Sequence, residues 1–211
     1  MLSLDRVSKR YGRKLVLDRV EHDFGPGLTL LVGPSGAGKS TLLRLLATAE
    51  RPSWGTIGWD GIVLPKARAT MRQALGYAPQ AVDLPEDLTA REFAMHIAAL
   101  KGLELKAADK QFLSITDAIG LHADVNNRIA TFSGGMRRRL IFAQALLGAP
   151  KLLILDEPTA ELDGETARRV GDLILERARE AIVIMTTHLS GAFAPKVRAV
   201  LRVDDRRVLP A

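Results

Sequence analysis

The sequence of 211 residues contains no cysteine, which excludes disulfide bonds and thiolate metal sites. Aromatic residues make up only 5% of the chain, and no apolar run approaches the ~20 residues of a membrane-spanning helix. Residues 1–6 lack the apolar core of a signal peptide. No two histidines share a metal-ligand spacing, so we expect no zinc site. These absences favour a cytoplasmic protein.

The chain carries a net charge of +6, but its basic residues are dispersed. The densest basic clusters are residues 137–139 and 206–207, and neither is interleaved with aromatic side chains. We therefore expect a solvated basic surface and no nucleic-acid partner. A hydrophobic content of 47% is sufficient for one globular domain with a sizeable core.

A glycine-rich loop separates a predicted buried strand, residues 28–32, from a predicted helix that begins with residues 42–46. Nine residues form this loop: Gly33, Pro34, Ser35, Gly36, Ala37, Gly38, Lys39, Ser40 and Thr41. Between a strand and a helix, this pattern predicts a phosphate-binding loop, because glycines let main-chain N–H groups approach an oxyanion closely. Lys39 adds positive charge near the β- and γ-phosphates, and the Ser40 hydroxyl is a candidate Mg²⁺ ligand.

The remaining pattern predicts an α/β fold with an insertion. Residues 1–24 and a hairpin at Asp60-Gly61 indicate an antiparallel β subdomain, and the helix after the loop is expected to run to about Glu50. From residue 132 onward, strand, helix and strand alternate with nearly continuous apolar strands, which predicts a mainly parallel sheet covered on both faces.

Residues 81–131 read as a helical insertion, in which Thr89 and Glu92 form a capping box at the start of a helix. We therefore predict a single domain over residues 1–211. Its α/β core comprises residues 1–80 and 132–211, and residues 81–131 form a helical subdomain.

Polar residues follow the predicted parallel strands: Gln80, Asp156, Glu157 and His188. The carboxyl ends of parallel strands form the edge at which α/β sheets bind ligands, so we expect these side chains to share a crevice with the phosphate loop. Asp156 and Glu157 are adjacent, and on an extended strand their side chains would point to opposite sides. One carboxylate would then face Mg²⁺ through water, and the other an attacking water.

The order and spacing of these motifs resemble those of ATP-binding cassette (ABC) ATPases over nearly the whole chain. The motifs are the phosphate loop, Gln80, Ser133-Gly134-Gly135, Leu152–Pro158, Leu162-Asp163 and His188. The phosphate loop alone is shared with kinases and GTPases, whereas Ser-Gly-Gly before an arginine-rich helix start is far more specific. The resemblance implies a P-loop NTPase fold with a RecA-like core.

For the nucleotide, the resemblance implies that Tyr11 stacks on the adenine of ATP and that residues 33–41 hold the phosphates. Ser40 and Gln80 would ligate Mg²⁺, with Asp156 supporting the ion. Catalytic roles would fall to Glu157 as the general base, to Gln80, and to His188 as a γ-phosphate contact.

Ser133, Gly134 and Gly135 would close on the ATP of a second cassette, in a head-to-tail pair that we expect to be a homodimer. Asp163 would lie in that dimer interface. Three residues depart from the family pattern: Phe132 replaces a leucine, Met136 a glutamine and Glu161 a small residue. The form Ser-Gly-Gly-Met-Arg-Arg-Arg resembles cassettes of bacterial exporters.

The resemblance thus implies the ATP-hydrolysing subunit of a membrane transporter with a separate polytopic permease, held at the inner face of the cell membrane. Residues 81–131 would face that permease. A soluble cassette acting in translation, DNA repair or chromosome maintenance is the alternative. A P-loop kinase is a third interpretation, but it leaves Ser133-Gly134-Gly135 unexplained.

Overall fold

The computed structural model describes residues 1–81, 83–187 and 196–211 and shows two β-sheets with helices packed around them. The strands are β1 Leu2–Tyr11, β2 Lys14–Phe24, β3 Gly27–Val32, β4 Trp54–Trp59, β5 Ile62–Val63, β6 Leu75–Ala78, β7 Leu152–Asp156, β8 Ile182–Thr186, β9 Ala199–Asp204 and β10 Arg207–Pro210. The helices are α1 Lys39–Leu46, α2 Arg68–Gln73, α3 Ala90–Leu100, α4 Leu105–Ala118, α5 Gly134–Leu146 and α6 Gly164–Arg177.

The larger sheet has six strands in the order β10-β9-β3-β8-β7-β6. All neighbouring pairs are parallel except β9–β10, which form an antiparallel hairpin. In the register of β7 and β8, Asp156 pairs with Thr186. The smaller sheet has the order β2-β1-β4-β5 and is antiparallel. The predicted α/β fold with a mainly parallel sheet and an N-terminal antiparallel sheet is confirmed.

Both faces of the large sheet are buried, because alternate residues of its central strands enter two different apolar clusters. Leu153 and Leu155 pack in one cluster with α3, α4, α5 and α6. Leu152 and Ile154 pack in the other with α1 and the antiparallel sheet. This arrangement explains why β7 and β8 read as continuous apolar runs rather than as alternating ones.

Helices α3 and α4 lie in the segment that the sequence predicted to be helical. Thr89 caps α3 in the predicted capping box: its hydroxyl accepts from Glu92 N, and its own N–H donates to Glu92. Phe112 of α4 is fully buried in the cluster that also contains Leu140 of α5. No helix within the described ranges is long and apolar enough to cross a membrane.

Two local predictions differ from the structure. Helix α1 ends at Leu46 instead of near Glu50, because Thr48 takes the left-handed conformation (φ +55°). Helix α2, which follows the hairpin, was not expected. Met71 is its only fully buried side chain and it has no side-chain cap, so the sequence carries neither of the usual helix signals there.

Candidate nucleotide-binding site

The phosphate loop connects the end of β3 with the start of α1 and needs glycine at two positions. Gly33 has φ +140°, and a Cβ atom there would lie 2.1 Å from the Val203 main-chain oxygen. Gly38 has φ +109°, and its Cβ would lie 3.0 Å from the Val16 side chain. Both positive φ angles are accessible mainly to glycine, and any side chain would push the loop off β9 and β2.

The N-terminus of α1 suits a phosphate. Its cap residue is Gly38, which offers no side-chain acceptor to the first N–H groups of the helix. Helices α3, α4, α5 and α6 each begin with a side-chain cap, from Thr89, Glu104, Ser133 and Asp163. The uncapped N–H groups and the helix dipole favour an anion at this point.

Lys39 lies across the same loop. Its Nζ donates hydrogen bonds to the main-chain oxygens of Gly33 (2.8 Å) and Pro34 (3.0 Å). The ammonium group is therefore held above the loop by neutral carbonyls and has no carboxylate among these hydrogen-bond acceptors. Its charge is available to phosphate oxygens, as the loop motif predicted.

Asp156 and Glu157 are held at the end of β7 by Thr186, the last residue of β8. Thr186 Oγ1 donates a 2.6 Å hydrogen bond to Asp156 Oδ1, and Glu157 N donates a 3.0 Å hydrogen bond to Thr186 Oγ1. The two acidic residues are 5% and 7% exposed. The assumption of an extended backbone was wrong at Glu157, which has φ +53°. A turn, rather than strand alternation, sets the direction of the Glu157 side chain.

A cavity of about 350 Å³ joins the phosphate loop to these carboxylates. This volume lies within the range of small-molecule sites. The lining residues are Tyr11, Lys14, Val16, Ser35, Gly36, Gly38, Lys39, Ser40, Thr41, Gln80, Asp156 and Glu157. The sequence-predicted residues from four separate stretches of the chain are thus brought together.

The oxygen groups of this cavity fit Mg²⁺. Ser40 offers a hydroxyl, Gln80 an amide oxygen and Asp156 a carboxylate, and all three line the cavity. Mg²⁺ prefers such hard oxygen ligands and retains several waters, so a single carboxylate with neutral oxygens suits it. Tyr77 lies close by, and burial together with the charge of Asp156 raises its pKa to about 12. We infer that Tyr77 stays neutral beside the site.

Ser133, Gly134 and Gly135 form the start of α5 and are absent from the lining of the cavity. Ser133 is the N-cap of α5, and its Oγ accepts a 3.3 Å hydrogen bond from Met136 N. A Cβ atom on Gly134 would lie 3.1 Å from Glu161 Oε2. The loop that carries Glu161, the residue that departs from the family pattern, therefore packs directly beside the Ser-Gly-Gly motif.

Arg138 connects three of the predicted motifs. Its Nη1 donates a 2.6 Å hydrogen bond to the Gln80 main-chain oxygen, and its Nη2 lies 3.1 Å from Glu161 Oε1. The Arg138 side chain is only 10% exposed. This contact explains why a glutamate stands at position 161, because a small residue there could not pair with the guanidinium.

Asp163 caps α6: its carboxylate accepts hydrogen bonds from Thr166 N (2.9 Å) and Thr166 Oγ1 (2.7 Å). The N–H and hydroxyl donors of Thr166 lower the pKa of Asp163. The prediction for His188 falls outside the residues that the structure describes.

Sequence reasoning missed Thr186 and Arg138. Thr186 could have been found as the polar residue that ends the strand next to Asp156. Arg138 carried no such signal, because an arginine in a basic run reads as solvated surface and its partners are far away in sequence.

The chain matches known proteins over most of its length. The family model described as ABC transporter matches residues 17–160. Nod factor export ATP-binding protein I of Rhizobium etli is 35% identical over 188 residues, which cover 86% of this chain and 58% of that protein. Linearmycin resistance ATP-binding protein LnrL of Bacillus subtilis is 33% identical over 190 residues, 89% of this chain and 61% of that protein. The chain thus spans about three fifths of the length of these relatives.

Two solved structures share the fold over 99% of this chain. One is an ATP-binding subunit of an ABC transporter, with a TM-score of 0.88, 26% identity and coverage of 88% of that chain. The other is a dimeric bacterial ABC transporter cassette, with a TM-score of 0.88, 24% identity and coverage of 96% of that chain. The matched family model, the curated relatives and the fold agree with the resemblance seen in the motifs. The chain belongs to the ABC transporter family.

Proposed function

We propose that this chain binds ATP with Mg²⁺ in the described cavity and hydrolyses it. The observation that carries the proposal is the convergence of Lys39, Ser40, Gln80, Asp156 and Glu157 on one cavity at the carboxyl edge of a parallel sheet. A phosphate loop alone supports binding only. A buried carboxylate pair opposite the loop supports hydrolysis, because one group can assist the metal while the other orients water.

In the proposed reaction, the loop N–H groups and Lys39 hold the β- and γ-phosphates. Ser40 and Gln80, supported by Asp156, would hold Mg²⁺, and the bound ion would supply positive charge to the phosphate oxygens. Glu157 accepts a proton from the attacking water, while the Thr186 hydrogen bonds fix the backbone from which Glu157 projects. Positioning and charge neutralisation thus supply most of the rate enhancement. We also propose His188 as a contact to the γ-phosphate.

We further propose that a second copy completes each site. The Ser133-Gly134-Gly135 motif is absent from the lining of its own chain's cavity, so its helix N-terminus can serve another chain's ATP. The Ser133 cap takes up only the Met136 N–H, and the N–H groups of Gly134 and Gly135 would be the donors to the partner's phosphate. A two-fold pair would then contain two identical composite sites, with Asp163 in the interface. The dimeric cassette of the same fold is consistent with this arrangement.

We propose that ATP-driven pairing energises a separate membrane permease, at the inner face of the cell membrane. The names of the relatives, an export protein and a resistance protein, support a transporter over a soluble cassette. We assign residues 81–131, which contain α3 and α4, as the helical subdomain that faces the permease. The remaining residues, 1–80 and 132–211, form the proposed catalytic core.

An ATP titration combined with phosphate release tests the proposal. The wild-type chain with Mg²⁺ should bind ATP and release phosphate, whereas Lys39→Ala should lose both because the loop loses its full charge. Lys66→Ala, an exposed lysine outside the cavity, is the matched control and should behave as wild type. Unchanged ATP affinity in Lys39→Ala would contradict the site.

A further inference from the structure

Glu50, four residues beyond the end of α1, is the centre of a charged cluster. Its Oε2 accepts a 2.5 Å hydrogen bond from the Tyr11 hydroxyl and lies 2.8 Å from Lys9 Nζ. Its Oε1 accepts a 2.7 Å hydrogen bond from Arg44 Nε. The Glu50 side chain is 25% exposed. Burial acts to raise the pKa of Glu50, but the hydrogen bonds from Lys9 and Tyr11 outweigh it and lower that pKa. The carboxylate is therefore charged near neutral pH.

This cluster fixes the Tyr11 ring at both its tip and one face. The hydroxyl at the tip is held by Glu50, and Lys9 Nζ lies 4.9 Å from the ring centroid. A tyrosine beside a turn and 39% exposed would otherwise rotate about its side-chain bonds. With these two contacts the ring keeps one position at the wall of the cavity that it lines.

The same cluster reaches the phosphate loop through Arg44. The Nη2 atom of Arg44 donates a hydrogen bond to Thr41 Oγ1 (3.2 Å) and lies 3.5 Å from the Tyr11 hydroxyl. The chain turn that brings Glu50 back depends on the early end of α1, where Ala49 N and Glu50 N both donate to the Arg44 oxygen. The cluster thus fixes Tyr11 relative to the helix that carries the phosphate loop.

We propose that Glu50 is a positioning residue for recognition of the nucleobase, acting through Tyr11. Glu50 is absent from the cavity lining, so it has no contact of its own to offer the nucleotide there. The inference rests on the proposed function and on the expectation, from the family resemblance, that Tyr11 stacks on the adenine of ATP. Base stacking gains affinity when the aromatic ring is already in place, because less rotational freedom is lost on binding.

The test compares two ligands, ATP and inorganic tripolyphosphate, by calorimetric titration with Mg²⁺. Both ligands use the phosphate loop, but only ATP has a base. Glu50→Gln should raise the Kd for ATP about threefold and leave the Kd for tripolyphosphate unchanged, because a neutral amide holds the hydroxyl and the ammonium more weakly. Tyr11→Phe, which keeps the ring but loses the hydrogen bond, should behave in the same way. Tyr11→Ala should raise the Kd for ATP about tenfold.

Glu180→Gln is the matched control, since it removes the same charge from an ion pair with Arg177 at the end of α6. It should bind both ligands as wild type does. Equal losses for ATP and tripolyphosphate in Glu50→Gln would show a merely structural role and overturn the proposal. A selective loss of ATP affinity in Tyr11→Ala, with none in Glu50→Gln and Tyr11→Phe, would overturn the role of Glu50 alone. No selective loss in Tyr11→Ala would overturn the assignment of Tyr11 as well.

Discussion

The Arg138 guanidinium donates a 2.6 Å hydrogen bond to the main-chain oxygen of Gln80, and this contact joins two motifs 58 residues apart. Gln80 lines the nucleotide cavity, whereas Arg138 belongs to the helix that begins with Ser-Gly-Gly. Because the same side chain also pairs with Glu161, movement of any one of these segments strains the contacts to the other two. The proposed site and the proposed partner-binding motif are therefore mechanically linked within one chain.

Replacement of Arg138 tests this link. Arg138→Gln should lower kcat for ATP hydrolysis about tenfold, because Gln80 and the Ser-Gly-Gly helix lose their common anchor and small misplacements of catalytic groups are costly. The Kd of the single chain for ATP should change less than about twofold, since Arg138 does not line the cavity. Arg168→Gln, which removes an exposed pair with Asp172, is the charge-matched control. Normal kcat in Arg138→Gln would contradict the link.

Thr186 is expected to be a stabilising residue of the site. Thr186→Val removes the hydroxyl that donates to Asp156 and accepts from Glu157 N, both in a fully buried position. The free energy of unfolding should fall by about 2 kcal/mol, as expected for a lost hydrogen bond to a charged group. Urea denaturation measures this change, and Thr186→Ser, which keeps the hydroxyl, should retain most of the stability. Equal losses in the two variants would assign the effect to packing instead.

Glu157 should be required for turnover but not for binding. Glu157→Gln removes the general base, which contributes ~10²–10⁴-fold, while the phosphate loop stays intact. The variant should bind ATP, and its rate of phosphate release should fall by at least about 100-fold. Because the bound ATP persists, the variant should accumulate as a dimer, which light scattering detects. Turnover near the wild-type rate would remove Glu157 from its proposed role.

Lys101, which lies outside the nucleotide cavity, should make the free energy of unfolding depend on pH. Burial lowers the pKa of Lys101 to about 8, and its Nζ donates to the Leu147 oxygen. Between about pH 8 and 10.5 the unfolded chain holds a proton that the folded chain has released, so this residue makes stability rise with pH across that window.

The comparison with Lys101→Met isolates the effect. The stability of wild type relative to this variant should increase by about 2.5 kcal/mol between pH 7 and pH 10, because roughly two pH units of this interval lie between the two pKa values and each unit corresponds to ~1.4 kcal/mol. Lys106→Met, at an exposed position of α4, should give a curve parallel to that of wild type. A relative stability of Lys101→Met that does not vary with pH would contradict the depressed pKa.

Sequence reasoning succeeded where the physical signal is local. Strands β3 and β7 are short and largely apolar, and the caps at Thr89 and Ser133 lie immediately before their helices, so short windows contain the signal. The phosphate loop can likewise be recognised within nine residues and their flanking elements, although the close approach of Gly33 to Val203 and of Gly38 to Val16 is a tertiary contact. These features could be placed correctly from the sequence.

The features that the sequence did not predict depend on contacts between residues that are distant in the chain. Helix α1 ends early at the turn that contains Thr48, and the residues beyond this turn bring Glu50 to Tyr11 and Lys9. Neither of these two partners is near Glu50 in sequence. The Arg138 bridge depends in the same way on two distant loops. At Glu157 the chain leaves the extended conformation within one residue, which a strand pattern does not reveal. Tertiary contacts decided each of these cases.

The composite site predicts a specific defect for Gly134→Asp. The substitution places a carboxylate beside Glu161 and at the helix N-terminus proposed to meet a partner's phosphate, so ATP should still bind while hydrolysis stops. Gly164→Asp is the folding control, because it also occupies the first position of a helix and an added Cβ there meets no atom within 4 Å.

Mixing two inactive variants tests most directly whether a site is built from the phosphate loop of one chain and the Ser-Gly-Gly motif of another. In Lys39→Ala the phosphate loop is damaged and Ser-Gly-Gly is intact, whereas in Gly134→Asp the reverse holds. A mixed pair contains one site built from the two intact halves, so the mixture should release phosphate although neither variant does so alone. We expect about a quarter of the wild-type rate, since random pairing of equal amounts makes half of the dimers mixed, each with one of two sites intact. A mixture as inactive as its components, or a fully active Gly134→Asp chain alone, would contradict the account.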